Sequence, residues 1–133
     1  MIINTDGGSR GNPGPGACGA VIKDRNGNIL VQKGAFLGIC TNNEAEYQGL
    51  ILGLTSALEL GADSAEVLMD SELVIKQLRG EYRVKNVKLS PLHHKAKELE
   101  KKLGEVSYFA VPREQNKLAD AMVNKVLDEQ LHA

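Results

Sequence analysis

Nowhere in the 133 residues does an apolar run approach the roughly 20 positions that a membrane-spanning helix needs. Nor does the amino terminus, Met1-Ile2-Ile3-Asn4, carry basic, apolar and cleavage regions in series; it reads as a strand, and the expectation is a cytoplasmic protein with no secretion signal. Cysteine is scarce. Cys18 and Cys40 have neither metal-ligand spacing nor the pattern of a disulfide framework, so reduced thiols are the simplest reading and one disulfide between them stays open. The charge leans to neither sign: 16 basic against 17 acidic residues gives −1 at pH 7. That balance neither demands nor rejects nucleic acid, because acidic site residues mask a basic binding face. Internal repeats, low-complexity tracts and linkers are all missing. The three histidines, His93, His94 and His132, fall outside every motif and read as surface residues.

What is present is ordinary in bulk, with 42% apolar and 25% charged residues. A chain of this size fits one domain, residues 1–133, and buries roughly two-thirds of its unfolded surface. Three strands open it. The first ends at Thr5-Asp6, cut by Gly7-Gly8, and a Gly/Pro loop follows over 9–16. Residues 17–24 and 29–37 read as β, joined by an Asn26-Gly27 hairpin signal. A helix over 41–60 has Tyr47, Leu50, Ile51, Leu54 and Leu58 at helical spacing and stops at Gly61. Then come a strand over 65–69, a helix over 71–78 and an irregular stretch over 80–88. Ser90-Pro91 starts a third helix. An edge-like strand over 105–111 and a closing helix from 116 to about 131 complete the order βββαβααβα, a mixed α/β fold.

Four acidic residues sit in motifs at element ends: Asp6 in Thr5-Asp6-Gly7-Gly8, Glu46 after Thr41-Asn42-Asn43, Asp70 in Met69-Asp70-Ser71, and Asp120 in Asn116-Lys117-Leu118-Ala119-Asp120. Carboxylates this scattered, if gathered in space, suit divalent cations and phosphodiester chemistry. Each has a plainer reading. Asp6 fits a turn before glycine, Asp70 a helix N-cap, and Asp120 an acid favoured by the helix dipole. Glu44 reads as the structural member of a capping box with Thr41. Glu46 shares a helix face with Gly49 and Gly53. Each of those glycines costs a helix about 1 kcal/mol, which implies a face pressed against the sheet. Asp6 and Asp70 both end apolar strands, where open α/β sheets bind ligands.

Taken together, Thr5-Asp6-Gly7-Gly8-Ser9, Gly11-Asn12-Pro13-Gly14-Pro15-Gly16, Thr41-Asn42-Asn43 with Glu46, Asp70-Ser71, and Asn116 with Ala119-Asp120 resemble type 1 ribonuclease H over essentially the whole chain. The resemblance implies a ribonuclease H-like fold, a five-stranded mixed sheet flanked by helices. It also implies endonucleolytic hydrolysis of the RNA strand of RNA/DNA hybrids, giving 5′-phosphate and 3′-hydroxyl ends by a two-metal-ion mechanism. Asp6, Glu46, Asp70 and Asp120 match the family's catalytic, metal-binding carboxylates. Two Mg²⁺ ions are the implied cofactor, with Mn²⁺ a plausible substitute. Candidate substrate contacts are Gly7, Arg10, Gly11, Asn12, Asn42, Asn43 and Ser71; Asn12 and Asn42 read equally well as turn and cap residues. Telling RNA from DNA needs the 2′-hydroxyl, reached across a wide minor groove.

The resemblance breaks in three places. Glu72 stands where many relatives carry Gln, and an ionised acid donates no hydrogen bond. The stretch 79–88, with four basic residues and one acid, replaces a longer basic helix of bacterial relatives, so modest hybrid affinity with a shallow salt dependence is expected. Arg113 stands where those relatives have histidine and resembles the arginine of a shorter, archaeal-like branch. A guanidinium is no general base, so its expected role is to hold phosphate or product. The partner is thus an RNA/DNA hybrid, and a monomer is expected. A hybrid-binding module without cleavage and an exonuclease- or integrase-like nuclease are the competing classes.

Overall fold

The computed structural model describes residues 1–132. Five strands, β1 (Ile2–Ser9), β2 (Gly14–Lys23), β3 (Ile29–Cys40), β4 (Ser64–Met69) and β5 (Glu105–Ala110), form one mixed sheet in the order β3-β2-β1-β4-β5. The first three pair antiparallel, whereas β4 runs parallel to β1 and β5 to β4. Four helices accompany them: α1 (Asn42–Glu59), α2 (Glu72–Leu78), α3 (Ser90–Leu103) and α4 (Lys117–Leu131), the last preceded by a 3-10 turn at Arg113–Gln115. The element order matches the reading of the sequence.

The boundaries differ at the first hairpin. β1 does not stop at Asp6; it runs through both glycines, with Gly7 opposite Cys18, Gly8 opposite Ala17 and Ser9 opposite Gly16. Gly14, Pro15 and Gly16 belong to β2, although local composition reads as loop. Ladder hydrogen bonds from both neighbours outweigh the weak local preference of these residues for irregular structure. The Asn26-Gly27 turn forms as expected, with Gly27 at φ +85° and the Asp24 carboxylate accepting from the Asn26 and Asn28 N–H groups.

One core fills the space between the sheet and α1, α2 and α3, built on Ile3, Tyr47, Leu50, Leu54, Val67, Met69, Leu78 and Leu99. On the other face α4 lays Val123 and Leu127 against Ala17. α1 crosses the sheet closely because two of its inward positions lack side chains. A Cβ on Gly49 would sit 2.5 Å from the Asp6 carbonyl oxygen, and one on Gly53 would sit 2.7 Å from Ile3 Cγ2. Those glycines cost α1 intrinsic helicity, and in return Glu46 comes to the sheet. The helix starts at the expected capping box: Thr41 Oγ1 accepts from the Glu44 N–H at 3.2 Å, and Glu44 Oε1 accepts from the Thr41 N–H at 3.0 Å.

One reading needs correction. His93 is half-buried rather than on the surface, with its ring edge-on to Tyr47 at 6.3 Å between centroids; His94 and His132 are exposed. Arg79, though exposed, donates to the Tyr108 carbonyl from Nε at 2.9 Å and from Nη2 at 2.5 Å and lies over Phe109. All four basic residues of the stretch, Arg79, Arg83, Lys85 and Lys88, are exposed, and Arg79 among them also carries these contacts within the fold.

Candidate active site

β4 runs parallel to β1 and ends at Met69 beside the middle of that longer strand, and α1 packs on β1, so Asp6, Glu46 and Asp70 meet. One carboxylate oxygen from each lies within 4.8 Å of the others. Asp6 and Glu46 are buried, each 7% exposed, and Asp70 is half-buried. Asp70 does not cap α2: Ser71 does, its hydroxyl accepting from the Val74 N–H at 3.4 Å. Asp6 forms no turn, since it lies within β1. Both plain readings are therefore removed. Asp120, in the first turn of α4, stands outside the triad but lines the same cleft and adds to the rise of the Asp6 carboxyl.

The triad opens into a cleft of about 450 Å³, which Asp120 and Arg113 also line. Another wall is formed by the end of β1, Arg10 and the start of α1. Asn42 stitches these together. Its Oδ1 accepts from the Ser9 N–H at 2.8 Å and the Ser9 hydroxyl at 3.1 Å, while its own N–H donates to Asn12 Oδ1 at 3.1 Å. Asn12 and Asn42 thus shape the wall, and Asn43 and Gly7 border the cleft directly. Gly11, at φ +86°, turns the loop. Arg10 lines the cleft too, yet its guanidinium is held by Asp128 of α4 at 2.6 Å. Asn124, Val123 and Leu127 complete the α4 side. Sequence reasoning missed Asn124. Its spacing of four from Asp120 was the available signal, because residues at that interval share a helix face; its amide stands 3.5 Å from Asp120 Oδ2.

Three acids this close cannot all ionise without help. Burial first, and then the charge of Asp70, push the Asp6 carboxyl up to about 7. Burial, followed by the charges of Asp6 and Asp70, raises Glu46 well above the ordinary carboxylate range. Glu46 Oε1 is buried without a hydrogen-bond partner. An orphaned acceptor beside two acids is what a cation would satisfy.

A pH dependence follows. The folded protein keeps the Asp6 proton up to about pH 7, whereas the unfolded chain releases it near 3.8. Between those values the folded state binds more protons, so this contribution to stability is complete below the lower value and is lost as pH rises through the upper one. In chelator the melting temperature is expected to fall by about 5 °C or more from pH 5 to pH 8. Asp6→Asn should flatten that slope. Thermal scans by circular dichroism test this; an equally steep slope in the variant would place its origin elsewhere.

The chain matches, over residues 4–126, the family model described as reverse transcriptase-like. It is similar to a protein of Mycobacterium tuberculosis named as bifunctional, at 43% identity over 96% of this chain and 35% of that one. It is also similar to ribonuclease HI of Halobacterium salinarum, at 42% identity over 93% of this chain and 62% of that one. The chain therefore spans about a third of the length of the first curated relatives that it matches. Among solved structures, LC11-RNase H1 in complex with RNA/DNA hybrid superposes at a TM-score of 0.94, with 40% identity and 98% of each chain covered.

Proposed function

Because the chain belongs to the ribonuclease H family, we propose that its acidic cleft cuts the RNA strand of RNA/DNA hybrids internally, leaving 5′-phosphate and 3′-hydroxyl ends. The observation that carries this reading is the Asp6, Glu46 and Asp70 triad, its ligand atoms within 4.8 Å of one another at the base of an open cleft. A structural neighbour of the same fold holding an RNA/DNA hybrid supports the substrate class.

The donors fit Mg²⁺ or Mn²⁺, since all are hard carboxylate oxygens and one buried oxygen lacks any partner. Asp6, Glu46, Asp70 and Asp120 would hold two such ions, which when bound supply activation of the attacking water and stabilisation of the departing oxygen. The remaining residues bind and orient. Gly7 and Gly8 at the end of β1 and Gly11 in the loop after it let backbone groups approach the sugar edge closely, and Asn43 adds neutral donors and acceptors. Ser71 and the first turn of α2 offer donors to a phosphate of the DNA strand.

Arg113 is 73% exposed at its side chain, with Nη2 standing 3.5 Å from Asp120 Oδ1. It carries a fixed positive charge to the cleft rim, suited to a phosphate or to product. Arg113→Ala is expected to lower turnover about tenfold, the loss of one charge-assisted contact, while Mn²⁺ affinity stays within about twofold. Unchanged turnover would leave Arg113 a structural residue.

The whole reading is tested by incubating the protein with labelled hybrid, duplex DNA, duplex RNA and single strands, in Mg²⁺ or in chelator. Cleavage of the hybrid's RNA strand in Mg²⁺ alone is expected. Binding without cleavage would mark a hybrid-binding module, and cleavage mainly of DNA a different nuclease.

A further inference from the structure

We infer that the buried amide pair Asn4–Asn116 is a positioning device that sets the carboxylate of Asp120 against that of Asp6; the inference rests on the functional reading above and names residues outside the acidic set. Asn116 occupies the N-cap of α4. An asparagine there normally accepts a hydrogen bond from an N–H two or three residues later, but this one caps nothing. Its side chain instead crosses to the sheet. Nδ2 donates to the Thr5 carbonyl at 2.8 Å, and Oδ1 accepts from Asn4 Nδ2 at 3.1 Å. Both asparagines are buried, Asn4 at 5% and Asn116 at 1% exposure. Among the described residues, these are the side-chain hydrogen bonds that tie β1 to α4.

Their position in the chain gives them leverage. The β1–β4 register ends at the Asn4–Leu68 pair, so the Thr5 carbonyl lies just beyond the ladder on the way to Asp6. At the other end, the Asp120 N–H donates to the Asn116 carbonyl at 3.1 Å, closing the first turn of α4. Asp6 is therefore one residue from one end of the clamp, and Asp120 one helical turn from the other. The Asn4 amide has a separate task. By donating to Asn116 Oδ1 it fixes which way the Asn116 amide faces, leaving the NH₂ for Thr5. Asn4 gains little of its own, because its Oδ1 is buried without a partner. Such half-satisfied buried polarity is a poor way to stabilise a sheet, and it fits a role in placement instead. Asp120, the one acid outside the 4.8 Å triad, is the group whose placement needs such a tether.

The test compares wild type with Asn116→Ala and Asn4→Val. For Asn116→Ala, turnover is expected to fall about 30-fold with the hybrid KM within about twofold, since misplacement by about an ångström costs up to a hundredfold. The affinity for a first Mn²⁺, read by the electron paramagnetic resonance of the free ion, should hold within about twofold. A crystal structure of the variant should show Asp120 displaced from Asp6 while the Asp6, Glu46 and Asp70 triad keeps its geometry. Asn4→Val removes one hydrogen bond and one orphaned oxygen together and puts a β-branched side chain in a strand, so it should melt near wild type and still lose several-fold in turnover; it decides the matter if Asn116→Ala does not fold. An unmoved Asp120 would overturn the inference, as would unchanged turnover in both variants. If the wild type cleaves no hybrid, the functional reading fails by itself, and the position of Asp120 in the variant crystal still decides this one.

Discussion

Asp70→Asn is expected to abolish hybrid cleavage, by a factor of about a thousand or more, while making the metal-free protein more stable at pH 8. The two effects share a cause. The Asp70 carboxylate raises both Asp6 and Glu46 by its charge, so in the absence of cations the triad stores repulsion. An amide of nearly the same shape removes that repulsion. It also removes one of three oxygens that would share a cation, and loss of several kcal/mol of charge stabilisation converts at about 1.4 kcal/mol per tenfold in rate. Activity and stability should therefore move in opposite directions. Single-turnover cleavage in Mg²⁺ and thermal melting in chelator, run on the same preparation, check both. A variant that is inactive and less stable would mean that Asp70 holds the fold rather than the ions.

Gly7→Ala carries the largest expected loss of stability, about 3 kcal/mol. A Cβ on Gly7 would overlap the backbone carbonyl of Ala45 and stand 2.5 Å from the Glu46 N–H nitrogen. Main chain cannot swing aside as a side-chain tip does, so β1 and α1 would have to separate, an overpacking cost at the upper end of the usual range. The separation acts directly on the pair Asp6 and Glu46, which flank that crossing. Gly8→Ala is the matched control: its Cβ would meet nothing nearer than Asn42 Oδ1 at 3.9 Å. Urea denaturation should place the Gly7→Ala midpoint about 2 M below wild type for a slope near 1.5 kcal/mol per molar, with Gly8→Ala close to wild type. Equal midpoints for the two variants would remove the close crossing as the reason for glycine at position 7.

Much of this architecture was legible because local signals agreed with the fold. The Thr41-to-Glu44 capping box, the Asn26-Gly27 turn and Pro91 each named an element end from its own chemistry. Gly49 and Gly53 went further, since two costly residues on one face of α1 announced a close crossing and so the burial of Glu46. The reading failed where long-range pairing decides. Gly7, Gly8 and residues 14–16 are poor strand formers alone and become strand only because β1 and β2 meet. Arg10 and Asp128, 118 positions apart in the chain, pair across the cleft rim with no local trace. Asn116 was visible as a motif member, yet its clamp on Thr5 depends on where α4 lands. His93 looked like a surface residue because Tyr47, which its ring meets edge-on, comes from a different helix.

The convergence of scattered carboxylates on divalent cations is the claim on which everything else stands. Crystals soaked in Mn²⁺ and measured at the manganese edge test it directly. The account predicts anomalous density bounded by the Asp6, Glu46 and Asp70 carboxylates, and its disappearance in Asp70→Asn. A soaked crystal with those three side chains ordered and no anomalous density among them would contradict it.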